Sequence, residues 1–205
     1  MRVLITAGPT REPIDAVRFI SNRSSGKIGF ALANAACEAG HDVTLLLGPV
    51  THESELNDHC ATIHFETTEQ LWRLLEQHFP SHDVLIMAAA VADYRVAETG
   101  EGKLPRDDEL NLELVPTVDL VASIAETKNP HQRVIAFALE ETYQMESRAT
   151  EKMRRKGVDA IVANPLNTMD DDSIESVYIT NDGPERPGRM SKKDFATWLI
   201  KRISR

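Results

Sequence analysis

Short apolar runs alternate with helical patterns from one end of the chain to the other. Residues 2–7, RVLITA, form a continuous β-rich run, the pattern of a strand covered on both faces. KIGFALANAACEAG (27–40) has helix composition and closes on Gly40, a fitting C-terminal cap. HDVTLLL (41–47), ATIHF (61–65), HDVLIMAAAV (82–91), VIAFAL (134–139), DAIVAN (159–164) and VYIT (177–180) read as further strands. TTEQLWRLLEQHF (67–79) is an amphipathic helix opened by a capping box of Thr67 and Gln70. Further helices are expected over about 143–156 and over 191–203. This alternation predicts one α/β domain over residues 1–205, with a doubly wound, mostly parallel Rossmann-like sheet and helices on both faces.

Two segments break the rhythm. Residues 9–26 separate the first strand from its helix, where such loops need only roughly 2–6 residues. Residues 92–116 contain Gly100, Gly102, Pro105 and Pro116, and their alternation at Leu110, Leu112 and Leu114 predicts a half-buried strand. We read this stretch as a protruding flap and dimerisation arm. Both segments follow the carboxyl end of a predicted strand, where open α/β sheets bind ligands.

Charge changes the picture. Over 205 residues, 23 Lys and Arg against 32 Asp and Glu leave −9, which argues against a nucleic-acid partner. Yet residues 1–30 hold Arg2, Arg11, Arg18, Arg23 and Lys27 against Glu12 and Asp15, a local +3. A second basic island is Arg148, Lys152, Arg154, Arg155 and Lys156, set against Glu151. No apolar stretch is long enough to span a membrane, and MRVLITAGPT lacks the apolar core of a secretory signal. Cys37 and Cys60 make no disulfide framework; Cys37 reads as a buried thiol, and the expected compartment is the cytoplasm. His52, His59, Cys60 and His64 fit no standard zinc spacing, so no metal-ligating residues are assigned.

Gly8 ends the first strand, and Gly26 and Gly29 open the following helix inside SNRSSGKIGF. Glycines there let the backbone approach a phosphate that faces free N–H groups and the helix dipole. Better-known nucleotide motifs fail on specifics. Gly26-Lys27 is followed by Ile28 rather than the Ser or Thr of a P-loop, and Gly8 and Gly26 are too far apart for a dinucleotide fingerprint. Tyr94, Tyr143 and Tyr178 are followed four residues later by Glu98, Ser147 and Asp182, not by the lysine of a short-chain dehydrogenase. Nicotinamide redox chemistry is therefore not expected.

ITAGPTREPIDAVRFISNRSSGKIGFALA, MAAAVADYR, a lysine ten residues after Asp93, FALEE and IVANP together resemble phosphopantothenoylcysteine synthetase, the ligase of coenzyme A biosynthesis. The likeness runs from residue 1 to about 165 and weakly beyond. It implies that a nucleotide, with CTP expected ahead of ATP, activates the carboxylate of 4′-phosphopantothenate with Mg²⁺ assisting. Pyrophosphate leaves, the amine of L-cysteine attacks the acyl-nucleotide, and the nucleoside monophosphate departs. Such chemistry asks for cations and backbone donors rather than a nucleophilic side chain. A chain that opens on the ligase motif is expected to be a free-standing ligase or an isolated ligase half, with no decarboxylase domain and with a separate decarboxylase as a partner.

The resemblance also implies roles. Asn22 stands at the family's catalytic asparagine, its amide donating to the acyl-phosphate oxygen or the oxyanion. Lys103 is the lysine of a flap that covers the reaction centre. The family usually has K-[IL]-K-K where this chain reads KLPR at 103–106, which bears on flap flexibility more than on chemistry and leaves a non-catalytic nucleotide-binding relative as the alternative. Gly8, Ser24, Gly26 and Gly29 would hold phosphates; Met87, Ala88, Ala89 and Asp93 would line the nucleotide. Val118, Asp119, Leu120 and Val121 match a segment holding the base, and Phe137 matches the residue packing on base or ribose, although for an isolated Phe137 in an apolar strand core is the better reading. Lys152 and Lys156 share one helix face and match nucleotide-contacting lysines, with Asn164 nearby. Arg18, Ala89 and Ala90 would meet the phosphopantothenate, partly across a homodimer interface with shared active sites.

Overall fold

Strand β1 (Arg2–Ala7) lies near the middle of an eight-stranded sheet in a computed structural model that describes residues 1–50, 56, 60–106, 109–166 and 171–204. β1 pairs in parallel with β4 (Asp42–Leu47) on one side and β6 (Val84–Met87) on the other. Beyond β4 lies β5 (Ala61–His64), and beyond β6 lie β9 (Arg133–Glu140) and β10 (Ala160–Pro165), all parallel. Strands β12 (Val177–Thr180) and β13 (Gly183–Glu185) complete that edge in antiparallel pairing. The chain winds outward from β1 in one direction and from β6 in the other. The β1/β6 junction is thus the switch point of the sheet, where open α/β folds form a crevice.

Helix α1 (Lys27–Glu38) and α5 (Lys192–Ile203) cover one face, and α2 (Thr68–His78), α3 (Leu120–Thr127) and α4 (Met145–Lys156) cover the other. Alternate residues of each strand feed two cores. Val3 and Ile5 pack with Phe30, Leu32, Phe195 and Leu199, while Leu4 packs with Leu71, Leu75, Ile124 and Met153. Two-sided burial is why these strands read as unbroken apolar runs. None of the described helices is long and apolar enough to cross a membrane.

The expected strands and helices are present, with informative differences. β6 ends at Met87 rather than 91, because residues 88–91 leave the ladder for the crevice. The capping box of α2 is offset: Thr67 caps Gln70 N–H, but the Gln70 side chain accepts from Glu66 N–H. α3 has only eight residues, too few to show a period in sequence. Among the described residues of 92–116, β7 (Tyr94–Val96) and β8 (Leu114–Pro116) pair, and the leucines at 110, 112 and 114 are exposed rather than half-buried.

Cys37 and Cys60 are joined in a disulfide, correcting the expectation of a buried thiol. α1 packs against the same side of the sheet as the residue that leads into β5, which closes a sequence gap of 23. His52 and His59 lie outside the described residues. Among those described, no three His, Cys, Asp or Glu side chains converge on one point.

Candidate active site

Gly8 and Gly26, eighteen positions apart in sequence, meet at the carboxyl end of β1. Both hold positive φ, 78° and 77°, and a Cβ built on Gly26 would lie 3.6 Å from the Gly8 Cα. Gly26 caps α1 with no side-chain hydrogen bond, and the first intrahelical bond is from Phe30 N–H to the Gly26 carbonyl. The N–H groups of Ile28 and Gly29 therefore have no helical acceptor and sit at the positive end of the helix dipole. The Gly26 N–H itself donates to Ser24 Oγ at 3.4 Å. Gly29 serves packing instead: a Cβ there would fall 2.3 Å from the Ala7 Cβ, so α1 lies directly on β1.

The loops after β1 and β6 are zipped together. Thr10 N–H donates to the Ala90 carbonyl, Ala90 N–H to the Gly8 carbonyl, and Ala92 N–H to Thr10 Oγ1. Ala89 N–H donates to Thr6 Oγ1 at 3.1 Å. The side chain of Met87 is buried in the core, so at that position only the backbone reaches the crevice. Ala88, Ala89 and Ala90 are half-buried along its wall, and Asp93 is exposed just beyond.

Asn22 follows the short strand β3 (Phe19–Ser21), which pairs with β2 (Arg11–Pro13). Its Nδ2 donates to the carbonyls of Ala90 and Val91 at 3.0 and 3.1 Å. Both amide hydrogens are thereby taken, and what Asn22 has left to offer is its acceptor oxygen Oδ1. The donation to an oxyanion expected from the resemblance needs hydrogens that this geometry has already engaged.

Sequence reading overlooked Asp15. Its Oδ1 accepts from Val17 and Arg18 N–H, and its Oδ2 from Arg18 Nη1 at 2.8 Å and Leu104 N–H at 3.1 Å. The Val17 N–H does most to hold its carboxyl below the ordinary aspartate value, against the upward push of burial; Leu104, Arg18 N–H and the Arg18 charge add to it. Because the native value is lowered, the unfolded chain binds more protons, and stability rises with pH. We predict that the unfolding free-energy gap between wild type and Asp15→Asn is full above the ordinary aspartate value. It should close as pH falls through the lowered native value, as read by urea unfolding at stepped pH.

Glu12 is a second residue without a signal in sequence beyond its place in an overlong loop. It is buried, and its Oε1 accepts from Thr68 N–H at 2.8 Å and Thr68 Oγ1 at 2.6 Å. It therefore fastens the 9–26 loop to the start of α2. Glu12→Ala should strand the Thr68 N–H, leave the Thr68 hydroxyl only the longer bond to Thr10 Oγ1 at 3.4 Å, and cost about 1–3 kcal/mol in a denaturation curve.

A second cluster gathers the other basic island. Lys156 donates to Asp119 at 2.9 Å, and Lys152 pairs with the buried Glu140 at the end of β9. Burial pushes the Asp119 carboxyl up, but the Lys156 ammonium, the Ala122 N–H and the nearby charges leave it below its ordinary value. Asp119 also caps α3 through Ala122 N–H. Lys152 and Lys156 do share a face, but their ammonium groups are engaged with carboxylates of this chain. Val118 is exposed and Val121 half-buried beside them, whereas Leu120 is buried in the core. Phe137 is half-buried against the α1/α5 core, and Asn164 is buried with its Oδ1 accepting from Ser176 Oγ at 2.6 Å. β9 runs on for Phe137–Glu140 past its last pairing with β6, Met87 with Ala136, so this cluster extends the same crevice.

Comparisons with known proteins agree with this architecture. Residues 1–205 match the family described as the DNA/pantothenate metabolism flavoprotein C-terminal domain. The chain is 34% identical over 209 residues to the coenzyme A biosynthesis bifunctional protein CoaBC of Haemophilus influenzae, covering 99% of this chain and 51% of that protein. The CoaBC of Vibrio cholerae is 41% identical over 169 residues, 81% of this chain and 42% of that one. The chain thus spans about half the length of the curated relatives it matches. The crystal structure of the C-terminal domain of CoaBC superposes with a TM-score of 0.84 at 36% identity, over 98% of this chain and 93% of that one.

Proposed function

The chain belongs to the DNA/pantothenate metabolism flavoprotein C-terminal domain family, and from that premise we propose that it is the ligase joining 4′-phosphopantothenate to L-cysteine. The observation that carries this reading is the convergence of the Gly8–Gly26 cradle, Asn22 and the Ala88–Ala90 wall on the β1/β6 switch point. A triphosphate lies with its phosphates at the start of α1, where the N–H groups and helix dipole favour anions. The carboxylate oxygen of phosphopantothenate attacks the α-phosphorus and pyrophosphate leaves. The cysteine amine then attacks the acyl carbon, loses a proton, and the nucleoside monophosphate departs as the amide forms.

Asn22 Oδ1 is suited to accept from that amine and aim it, since the tether to Ala90 and Val91 fixes the side chain. Lys103, exposed on the flap, supplies positive charge near the phosphates. Mg²⁺ supplies charge neutralisation on the triphosphate. Lys152, Lys156, Val118, Asp119 and Val121 take the nucleotide end, with the two lysines exchanging a carboxylate for phosphate oxygen. CTP is the expected nucleotide.

Incubating the protein with phosphopantothenate, cysteine, Mg²⁺ and each of the four nucleoside triphosphates should release pyrophosphate, most with CTP. Release with none of them sinks the reading. The KLPR flap favours one rival, a nucleotide-binding relative without turnover, which calorimetric binding in the absence of pyrophosphate would support. We also propose a cytoplasmic homodimer. Leu110 (57%), Leu112 (39%), Leu114 (45%) and Tyr94 (55%) expose their side chains on one arm. A single-chain mass by light scattering at micromolar concentration would refute it. A separate decarboxylase acting on the product is the expected partner.

A further inference from the structure

We infer that Asp15 is a positioning residue that latches the flap and holds Arg18 through the same carboxylate; the inference deepens the ligase reading and rests on it. The Asp15 side chain is fully buried, and its two oxygens divide the labour. Oδ1 shapes its own turn through Val17 and Arg18 N–H, both at 2.8 Å. Oδ2 accepts simultaneously from the Arg18 guanidinium and from Leu104 N–H, 89 positions away in sequence.

The flap is seated along this turn by three more bonds. Gly100 N–H donates to the Ile14 carbonyl and Ala16 N–H to the Gly102 carbonyl, each at 3.0 Å, while Arg18 Nη2 reaches the Leu104 carbonyl at 3.4 Å. Lys103 lies between Gly102 and Leu104, both of which are bonded to the 14–18 turn, so its backbone is fixed on both sides while its ammonium stays exposed.

One consequence is coupling. An anion that draws the Arg18 guanidinium away from Oδ2 removes one of the two donors on that oxygen and the Arg18 bond to the Leu104 carbonyl. Occupancy at Arg18 and the placement of Lys103 are therefore set by one group. A buried carboxylate with charge-assisted bonds is a firm anchor, and a displaced group near the reacting atoms costs rate rather than binding.

Asp15→Asn is the discriminating variant. A carboxamide keeps one oxygen for the Val17 and Arg18 N–H groups, but its NH₂ cannot accept from Leu104 or Arg18. Hydrogen exchange read by mass spectrometry on the intact protein should show residues 100–104 exchanging at least about tenfold faster than in wild type. In the pyrophosphate assay kcat should fall roughly 10- to 100-fold with the nucleotide KM unchanged. Leu104→Pro, which removes the N–H donor along with the leucine side chain but leaves the Asp15 bonds to Val17 and Arg18 in place, should reproduce both effects and serves if Asp15→Asn does not fold. Unchanged exchange in both variants overturns the latch, and faster exchange with unaltered kcat overturns the positioning role. A wild-type protein without pyrophosphate release overturns the ligase reading instead, while exchange still decides the latch.

Discussion

Asn22→Ala is expected to slow amide formation by roughly 10²–10³-fold while nucleotide affinity changes little. The side chain is exposed, so its loss opens no cavity, and the fold should tolerate it. What disappears is a tether: two hydrogen bonds join the loop after β3 to carbonyls 68 and 69 positions away. The groups proposed to face phosphate, Gly8, Gly26 and the start of α1, do not depend on that tether. Binding and chemistry should therefore separate. Asn22→Asp sharpens the test, because it keeps the shape but sets a carboxylate against two carbonyl oxygens and should be at least as damaging as alanine. Single-turnover mixing should show the acyl-nucleotide accumulating in both variants, with calorimetry reporting near-wild-type nucleotide binding. A variant that turns over normally, or that loses nucleotide affinity, would contradict the role given to Asn22.

Gly29→Ala should destabilise the protein by about 2 kcal/mol, despite placing a better helix former in α1. The propensity gain is about 1 kcal/mol. Against it, the new Cβ would lie 2.3 Å from the Ala7 Cβ and 3.0 Å from the Ala7 Cα. Ala7 is fully buried at the end of a central strand paired to β4, so it has little room to yield. Overpacking of this kind costs about 3 kcal/mol when backbone must move, and it wins. The expected fall in Tm is about 4–8 °C for a domain of this size. Because α1 must lift from β1, its free N–H groups leave the Gly8 cradle, and nucleotide affinity should drop together with stability. A melting temperature equal to wild type would show that α1 does not rest on β1 as described.

These two residues stand on opposite sides of what sequence can tell. The parallel sheet was legible because each two-sided strand must be apolar along its whole length, and the helices because a cap such as Thr67 and the period of α2 are local. The glycines at 8 and 26 were legible as turns at the strand end and the helix start, since turn chemistry belongs to the few residues around it. The resemblance added the family and the asparagine, arginine and lysine expected to do the chemistry.

Tertiary structure alone decided the rest, and the common reason is distance along the chain. β12 runs antiparallel to its neighbour β10, a fact of path rather than pattern. Nothing within a few residues of Asp15 announces its bond to Leu104, nor does anything near Glu12 announce Thr68. The spacing of Lys152 and Lys156 foretold a shared face but not the carboxylates of Glu140 and Asp119 that meet them. Leucine alternation at 110–114 looked like a strand half-buried in its own domain, yet burial is a property of what covers a residue. Local periodicity and turn chemistry set the sheet, helices and cradle of this protein; which side chains face one another across the crevice was settled only when the strands were laid side by side.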